Sequence, residues 1–76
     1  MNAYKSAIIG HPSGDGWSRH NLHFCVNGVA DNNASTTASI NDSKMVINYL
    51  RNVGIDTTTP RERLDVAGNI VIQWAD

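Results

Sequence analysis

The chain has 76 residues and a mass of 8.3 kDa, which is the size of one small domain. A compact domain of this length hides only about 60% of its unfolded surface, so its stability is marginal without disulfides, a metal or partner chains. The single cysteine, Cys25, excludes a disulfide within the chain. A formal net charge of −1 offers no electrostatic attraction to nucleic acid or to an anionic membrane surface.

The polar content of the chain is mostly uncharged. Charged residues make up 17% of the sequence, below the ~25% that is usual for soluble domains, and Asn, Ser, Thr and Gly fill the difference. This composition disfavours long helices and predicts a turn-rich β chain. No apolar run approaches the ~20 residues that span a bilayer, so membrane insertion is not expected.

Residues 1–50 are predicted to form a head of strands and loops within a single module that covers residues 1–76. Weak alternation over residues 3–9 predicts a first strand, and the glycines and proline of residues 10–16 are expected to break it. A polar stretch at residues 31–39 predicts a surface loop.

Residues 22–26 alternate with the period of a half-buried strand. Leu22, Phe24 and Val26 share one face, and His23 and Cys25 share the other. Residues 44–50 are apolar on both alternating sets, which predicts either a strand that is covered on both faces or a short helix. Their β-branched and aromatic content favours the strand.

Residues 51–76 are interpreted as a second part, made of a motif and a terminal strand. Val53 and Ile55 flank a glycine at which another backbone segment can approach closely. Thr59 suits the position before a helix, Pro60 suits its first position, and Glu62 can close a capping box. These residues predict one helical turn near residues 60–63, which turns the chain between two apolar pairs.

The clearest periodic signal lies at the end of the chain. Five apolar residues share one parity there: Leu64, Val66, Ile70, Ile72 and Trp74. Gly68 interrupts this set, so the segment is predicted to be either a hairpin or one long strand. The apolar stripe would face either an intersubunit axis or the core of a monomer.

Residues 52–70 read N-V-G-I-D-T-T-T-P-R-E-R-L-D-V-A-G-N-I. This segment resembles the N-V-G-I-G-T-x-x-P-x-x-x-L-x-V-x-G-x-I repeat of phage tail-fibre and tailspike-like proteins and of fibre-like virion proteins of large DNA viruses. Asp56 replaces the usual second glycine of the repeat, and aspartate tolerates a positive φ better than most residues.

The resemblance implies an all-β, elongated and intertwined homotrimeric fibre module with short strands and one helical turn. It implies a non-enzymatic structural component of a virion fibre or tail appendage, which presents or connects host-attachment parts and contacts other fibre or tail proteins. The trimer interface is predicted to contain the apolar residues of the motif and of the terminal stripe: Val53, Ile55, Leu64, Val66, Ile70, Ile72 and Trp74.

Chemistry-bearing side chains are few and poorly spaced for catalysis. His20, His23 and Cys25 are metal-ligand types, but their spacing matches no zinc signature. Asp15, Ser18 and His20 are the residue types of a hydrolase triad, but they lie in a glycine-rich loop without a nucleophile elbow. We therefore predict no catalytic residues, no metal and no cofactor.

Trp17 lies between a glycine and a serine in the same loop. An exposed tryptophan can stack on a sugar ring or anchor a protein contact. Trp17 and the neighbouring His20 are therefore candidates for a surface binding site, and a receptor- or glycan-binding fibre tip is the alternative function.

Overall fold

The structure is a computed structural model that describes residues 4–14 and 16–74. The fold is all-β, as the composition predicts, and its five strands form one mixed sheet in the order in which they occur along the chain. The strands are β1 (Ser6–Pro12), β2 (His20–Val26), β3 (Ser43–Ile47), β4 (Val53–Ile55) and β5 (Leu64–Val66), with 3-10 turns at Ala34–Thr36 and Ile40–Asp42.

Strands β1 to β4 pair antiparallel with their neighbours, and β5 pairs parallel with β4. A bulge interrupts the β2–β3 register, because Phe24 pairs with Met45 whereas Cys25 pairs with Ser43. None of the helical segments among the described residues is long or apolar enough to cross a membrane.

The first strand extends further than the sequence indicates. Residues 10–12 were expected to break the strand, but Gly10 pairs with Leu22 and Pro12 pairs with His20 at the end of β1. A proline is tolerated here because β1 is an edge strand, whose outer side makes no ladder hydrogen bonds. The break therefore begins after Pro12.

One face of the sheet is covered, and it is the face that carries His23, Cys25 and Val46. Cys25 and Val46 are the buried apolar side chains among the described residues, and His23 is also buried. The 3-10 turn Ile40–Asp42 packs on β2. Strand β3 is thus covered on one face only, in contrast to the two-sided burial that its apolar sequence predicts.

The polar segment between β2 and β3 is tied to the start of the sheet. The Lys5 ammonium donates to the carboxylate of Asp31 at 3.0 Å and to the carbonyl of Thr36 at 3.0 Å. Hydrogen bonds from the Thr36 hydroxyl, the Asn33 amide and Lys5 lower the pKa of Asp31 to about 2. At the other end, the Asn27 side-chain amide donates to the carboxylate of Asp42. These contacts hold the predicted surface loop against the sheet.

The corner between β4 and β5 differs from the prediction. Residues 60–63 form bends rather than a helical turn. The amide of Arg61 donates to the carboxylate of Asp65 at 3.1 Å, and the amide of Thr59 donates to the Thr57 hydroxyl. Asp65 therefore satisfies the backbone at the place where a Thr59 and Glu62 capping box was expected. The buried Pro60 lies inside the corner.

Asp56 begins this corner with a φ of 61°. This is the left-handed conformation that a glycine adopts readily and that aspartate tolerates. The turn brings Thr57 over Gly54, so that a Cβ atom at Gly54 would overlap the Thr57 carbonyl oxygen and lie 3.2 Å from Val46 Cγ1. Gly54 is thus required by a close backbone approach, as its place in the motif suggests.

The sheet ends at Val66. Residues 67–74 form neither the hairpin nor the continued strand that the terminal apolar stripe predicts, and their side chains are exposed. We call residues 67–74 the tail. Residues 75 and 76 of the predicted terminal strand lie outside the described residues.

The molecule is flatter than a compact domain of its mass and has a larger accessible surface. It measures 43 × 42 × 19 Å, and its radius of gyration is 14.7 Å, compared with about 11 Å for a compact domain of this length. Its accessible surface of 6060 Å² exceeds the roughly 4,600 Å² that the scaling law gives for this mass. A single sheet layer with one covered face explains this excess.

Replacing Gly54 by alanine tests the close packing of the corner. The added Cβ would displace the backbone at Thr57, so we expect Gly54→Ala to lower the free energy of unfolding by about 1–3 kcal/mol. Urea denaturation at a fixed protein concentration measures this change. Gly28→Ala is the control, because a Cβ at Gly28 meets nothing within 4 Å. An equal loss in both variants would contradict the role assigned to Gly54.

Candidate functional site

The second face of the sheet is apolar across all five strands. Residues paired across neighbouring strands share a face, so the register defines its members. We call this surface the open face, and its apolar residues are Ile8, Leu22, Phe24, Val26, Met45, Ile47, Val53, Ile55, Leu64 and Val66. The remaining paired positions on this side carry Ser6, Gly10, Pro12 and His20. No charged side chain occurs among these paired residues.

Large apolar side chains of the open face remain accessible to solvent. Ile8 on β1 is 67% exposed and Leu64 on β5 is 57% exposed, while Phe24 and Met45 near the centre of the sheet are half-buried. Monomeric proteins rarely expose a continuous apolar surface of this kind unless it binds a partner. The open face is therefore the main candidate functional site.

Four of the predicted interface residues lie side by side on the open face. Val53 on β4 pairs with Leu64 on β5, and Ile55 pairs with Val66. The parallel pairing brings the two apolar pairs of the motif together, as its corner was expected to do. The other three predicted residues, Ile70, Ile72 and Trp74, lie in the tail and not on the sheet.

The sequence prediction missed the contribution of β1 and β3 to this surface. Ile8 lies opposite Phe24, and Ile47 lies opposite Leu22. Alternation in residues 22–26 already separated Leu22, Phe24 and Val26 from His23 and Cys25. The signal that would extend the face to β1 and β3 is the strand register, which the alternation of single strands does not contain.

The glycine-rich loop presents Trp17 at the surface. Gly14, Gly16 and Ser18 all have positive φ, with values of 90°, 79° and 62°. Trp17 is 77% exposed at the tip of this loop, between β1 and β2. Ser18 is the strained member of the three, because a side chain disfavours this conformation.

The base of the loop is fixed by polar contacts. The Ser13 amide donates to the Arg19 carbonyl at 2.9 Å, and the guanidinium of Arg19 lies 5.0 Å from the centre of the Tyr49 ring. Nδ1 of His20 donates to the Ser18 carbonyl at 3.1 Å. Trp17 is exposed on this loop, and His20 is exposed at the first position of β2. His20, but not Trp17, lines an open pocket that is formed with Pro12, Gly14, Gly16, Ser18 and Arg19.

The covered face contains a small polar cluster around His23. Nδ1 of His23 and the hydroxyl of Ser43 are hydrogen-bonded at 2.7 Å, and the His11 ring contacts His23 edge to face at 6.1 Å. Burial, followed by the effect of His11, lowers the pKa of His23. Burial also raises the pKa of the Cys25 thiol, which favours its protonated and less nucleophilic form.

The candidate metal ligands His20, His23 and Cys25 are not brought together. His20 and His23 have opposite parity on β2, so His20 lies on the opposite side of the sheet from His23 and Cys25. Among residues 4–14 and 16–74, no group of three His, Cys, Asp or Glu side chains is placed to hold a metal ion. Asp15, the acid of the hypothetical triad, lies outside the described residues. His20 uses Nδ1 on the Ser18 carbonyl rather than on its hydroxyl.

Comparison with known proteins identifies no family for this chain. No protein-family model matches the sequence, and no curated protein is similar enough to count as a relative. The resemblance of residues 52–70 to the fibre repeat therefore remains a hypothesis. The function has to be argued from the open face, the tail and the glycine-rich loop.

The His23 cluster predicts that acid destabilises the fold. Because its pKa lies below the ordinary 6.5, the folded chain binds fewer protons at His23 than the unfolded chain does. The free energy of unfolding should therefore decrease as the pH falls through about 6.5 toward 5. Denaturant titrations across this range measure the decrease.

We expect His23→Gln, which cannot gain a charge, to show a weaker pH dependence than the parent chain. His20→Gln, on the same strand but on the opposite side of the sheet from His23, is the control for replacing a histidine by glutamine. A pH profile that is identical in His23→Gln and the parent would contradict this assignment.

Proposed function

We propose that the chain is a non-enzymatic structural module that assembles as a homotrimer in a virion fibre or tail appendage. In this role it presents or connects host-attachment parts and contacts other fibre or tail proteins. The observation that carries the proposal is the open face, an apolar surface without charged residues that extends across all five strands.

The physical argument is that a single sheet layer does not form a complete domain. A β-sheet with an apolar face needs a second layer against that face, and no other segment of the described chain provides one. Copies of the same chain can provide it, because an uncharged apolar surface meets no electrostatic repulsion from a second copy.

The resemblance of residues 52–70 to fibre repeats supports a trimer and a location in the virion. The motif supplies Val53, Ile55, Leu64 and Val66 to the open face. Its glycine at position 54 and its proline at position 60 are both buried in the corner that aligns these two pairs. The motif thus has a structural role in shaping the surface proposed to assemble.

The alternative function is a receptor- or glycan-binding fibre tip. It is favoured by one observation, the exposure of Trp17 on a loop in which Gly14, Gly16 and Ser18 have positive φ. Strained loops that display an aromatic side chain are commonly found at binding sites. The two functions are compatible in one fibre, since the loop lies outside the paired residues of the open face.

Assembly predicts that stability depends on protein concentration. If folding and association are coupled, the melting temperature should rise with concentration, and native mass spectrometry should detect three copies. Leu64→Asp would place a charge in the shared apolar surface at a cost of several kcal/mol, so we expect it to abolish the trimer.

Thr58→Asp is the matched control, because Thr58 is exposed in the corner and lies outside the open face. This variant should remain trimeric. A parent chain that is monomeric at all concentrations and melts independently of concentration would overturn the proposed assembly.

Glycan-array binding distinguishes the alternative function. If Trp17 stacks on a sugar, the parent chain should bind a defined set of glycans, and Trp17→Ala should lose this binding without a change in assembly. Tyr4→Ala is the control, since Tyr4 is a comparably exposed aromatic residue outside the loop. Binding that is unchanged in Trp17→Ala would exclude Trp17 as the contact.

A further inference from the structure

The chain has a second apolar surface that is separate from the open face. In the tail, Ile70, Ile72 and Trp74 are 60%, 88% and 95% exposed. They alternate with Asn69, Val71 and Gln73 at the spacing of an extended segment. The Ala67 amide donates to the Ile55 carbonyl of β4 at 3.0 Å, and residues 68–74 pair with no strand among the described residues. One copy of the chain therefore carries two different unpartnered apolar surfaces.

The area of exposed surface is large enough for an obligate contact. The accessible surface exceeds that expected for a compact chain of this mass by about 1,500 Å². A typical specific interface removes about 800 Å² from each partner, and obligate interfaces remove more. Covering the open face and the tail with other copies would thus bring the chain to the burial that a stable small protein needs.

The presence of two different apolar surfaces on one chain is compatible with assembly into a closed ring. A contact between two identical patches closes as a dimer, whereas a contact between two different patches generates a ring or a filament. A trimer in which every copy is equivalent therefore fits a contact that joins one surface to the other, from each copy to the next.

We propose that the tail of one copy lies across the open face of the next copy. This inference rests on the proposed self-assembly and specifies which surfaces meet. Ile70, Ile72 and Trp74 would contact the neighbouring sheet. Asn69, Val71 and Gln73, on the other side of the tail, would face away from it.

The dimensions agree with this arrangement. Five extended residues span about 16 Å, which is close to the width of three to four neighbouring strands. The open face carries no charged side chain among its paired residues, and neither does the tail between Ala67 and Trp74. Trp74 provides the large aromatic anchor that is typical of the centre of an interface.

Disulfide trapping between two populations of the full chain tests the proposal. One population carries Ile72→Cys in the tail, and the other carries Ile8→Cys on the open face, with a different affinity tag on each. After mixing, unfolding, refolding and mild oxidation, we expect disulfides between differently tagged chains. The buried Cys25 is present in both populations.

Matched controls use Thr58→Cys in place of Ile8→Cys, because Thr58 is exposed but lies off the open face. This pair should give at least tenfold less cross-linked product. Tail-to-tail disulfides within an intact trimer would overturn the tail contact but leave the proposed trimer standing. Face-to-face disulfides between two Ile8→Cys chains would overturn the tail contact, and they would indicate a dimer in which two sheets pack against each other.

Complementation by charge variants gives a second, independent measurement. Ile8→Asp places a charge on the open face and should prevent it from binding a tail. The double variant Ile72→Asp, Trp74→Asp places two charges on the tail and should prevent it from binding an open face. Each should be monomeric alone, and a mixture should form a 1:1 complex, because one intact tail can bind one intact face. A mixture that stays monomeric while the parent is trimeric would overturn the proposal. A parent that is itself monomeric would overturn the proposed function as well.

Discussion

The sheet has apolar side chains on both faces, and the other described segments of the chain cover only one of them. A β-sheet becomes a stable domain when both apolar faces are packed against another layer. Here the loop between β2 and β3 and the corner after β4 fold back over Val46, Cys25 and His23. Residues 67–74 form the tail, whose side chains are exposed. The flat shape, the excess of accessible surface and the proposed assembly all follow from this limit.

The covered face shows how a short chain packs one layer with few large side chains. Gly54 allows Thr57 to approach the sheet beside Val46, and the hydrogen bond between His23 and Ser43 satisfies a polar group that burial would otherwise penalise. The layer over the covered face is therefore thin, because it is built from small residues and a hydrogen-bonded histidine. The larger apolar residues, including Phe24 and Ile55, lie on the opposite side, where another chain can contact them.

The motif and the glycine-rich loop have separate roles in this arrangement. Within the motif, Gly54, Asp56 and Pro60 set the corner that places β5 parallel to β4, and its apolar pairs become part of the open face. The loop that displays Trp17 connects β2 to β1, which is the edge strand opposite β5. In the proposed assembly, the sheet would form the contact between copies while the loop would stay accessible.

Local sequence patterns were sufficient to predict strands and to group the apolar side chains. These patterns are the alternation in residues 22–26 and the spacing of Val53, Ile55, Leu64 and Val66. They depend only on local backbone geometry. The all-β class and the importance of Gly54 were predicted on the same basis. Local propensity failed at Thr59, because Asp65 accepts the hydrogen bond of the Arg61 amide in place of a capping box. It also failed at the tail, because Ile70, Ile72 and Trp74 pair with no strand among the described residues. Which face is covered, and how far the open face extends across β1 and β3, depended on tertiary structure. Both are decided by strand register and by loops that return from distant positions in the chain, and neither leaves a periodic signal within a single strand.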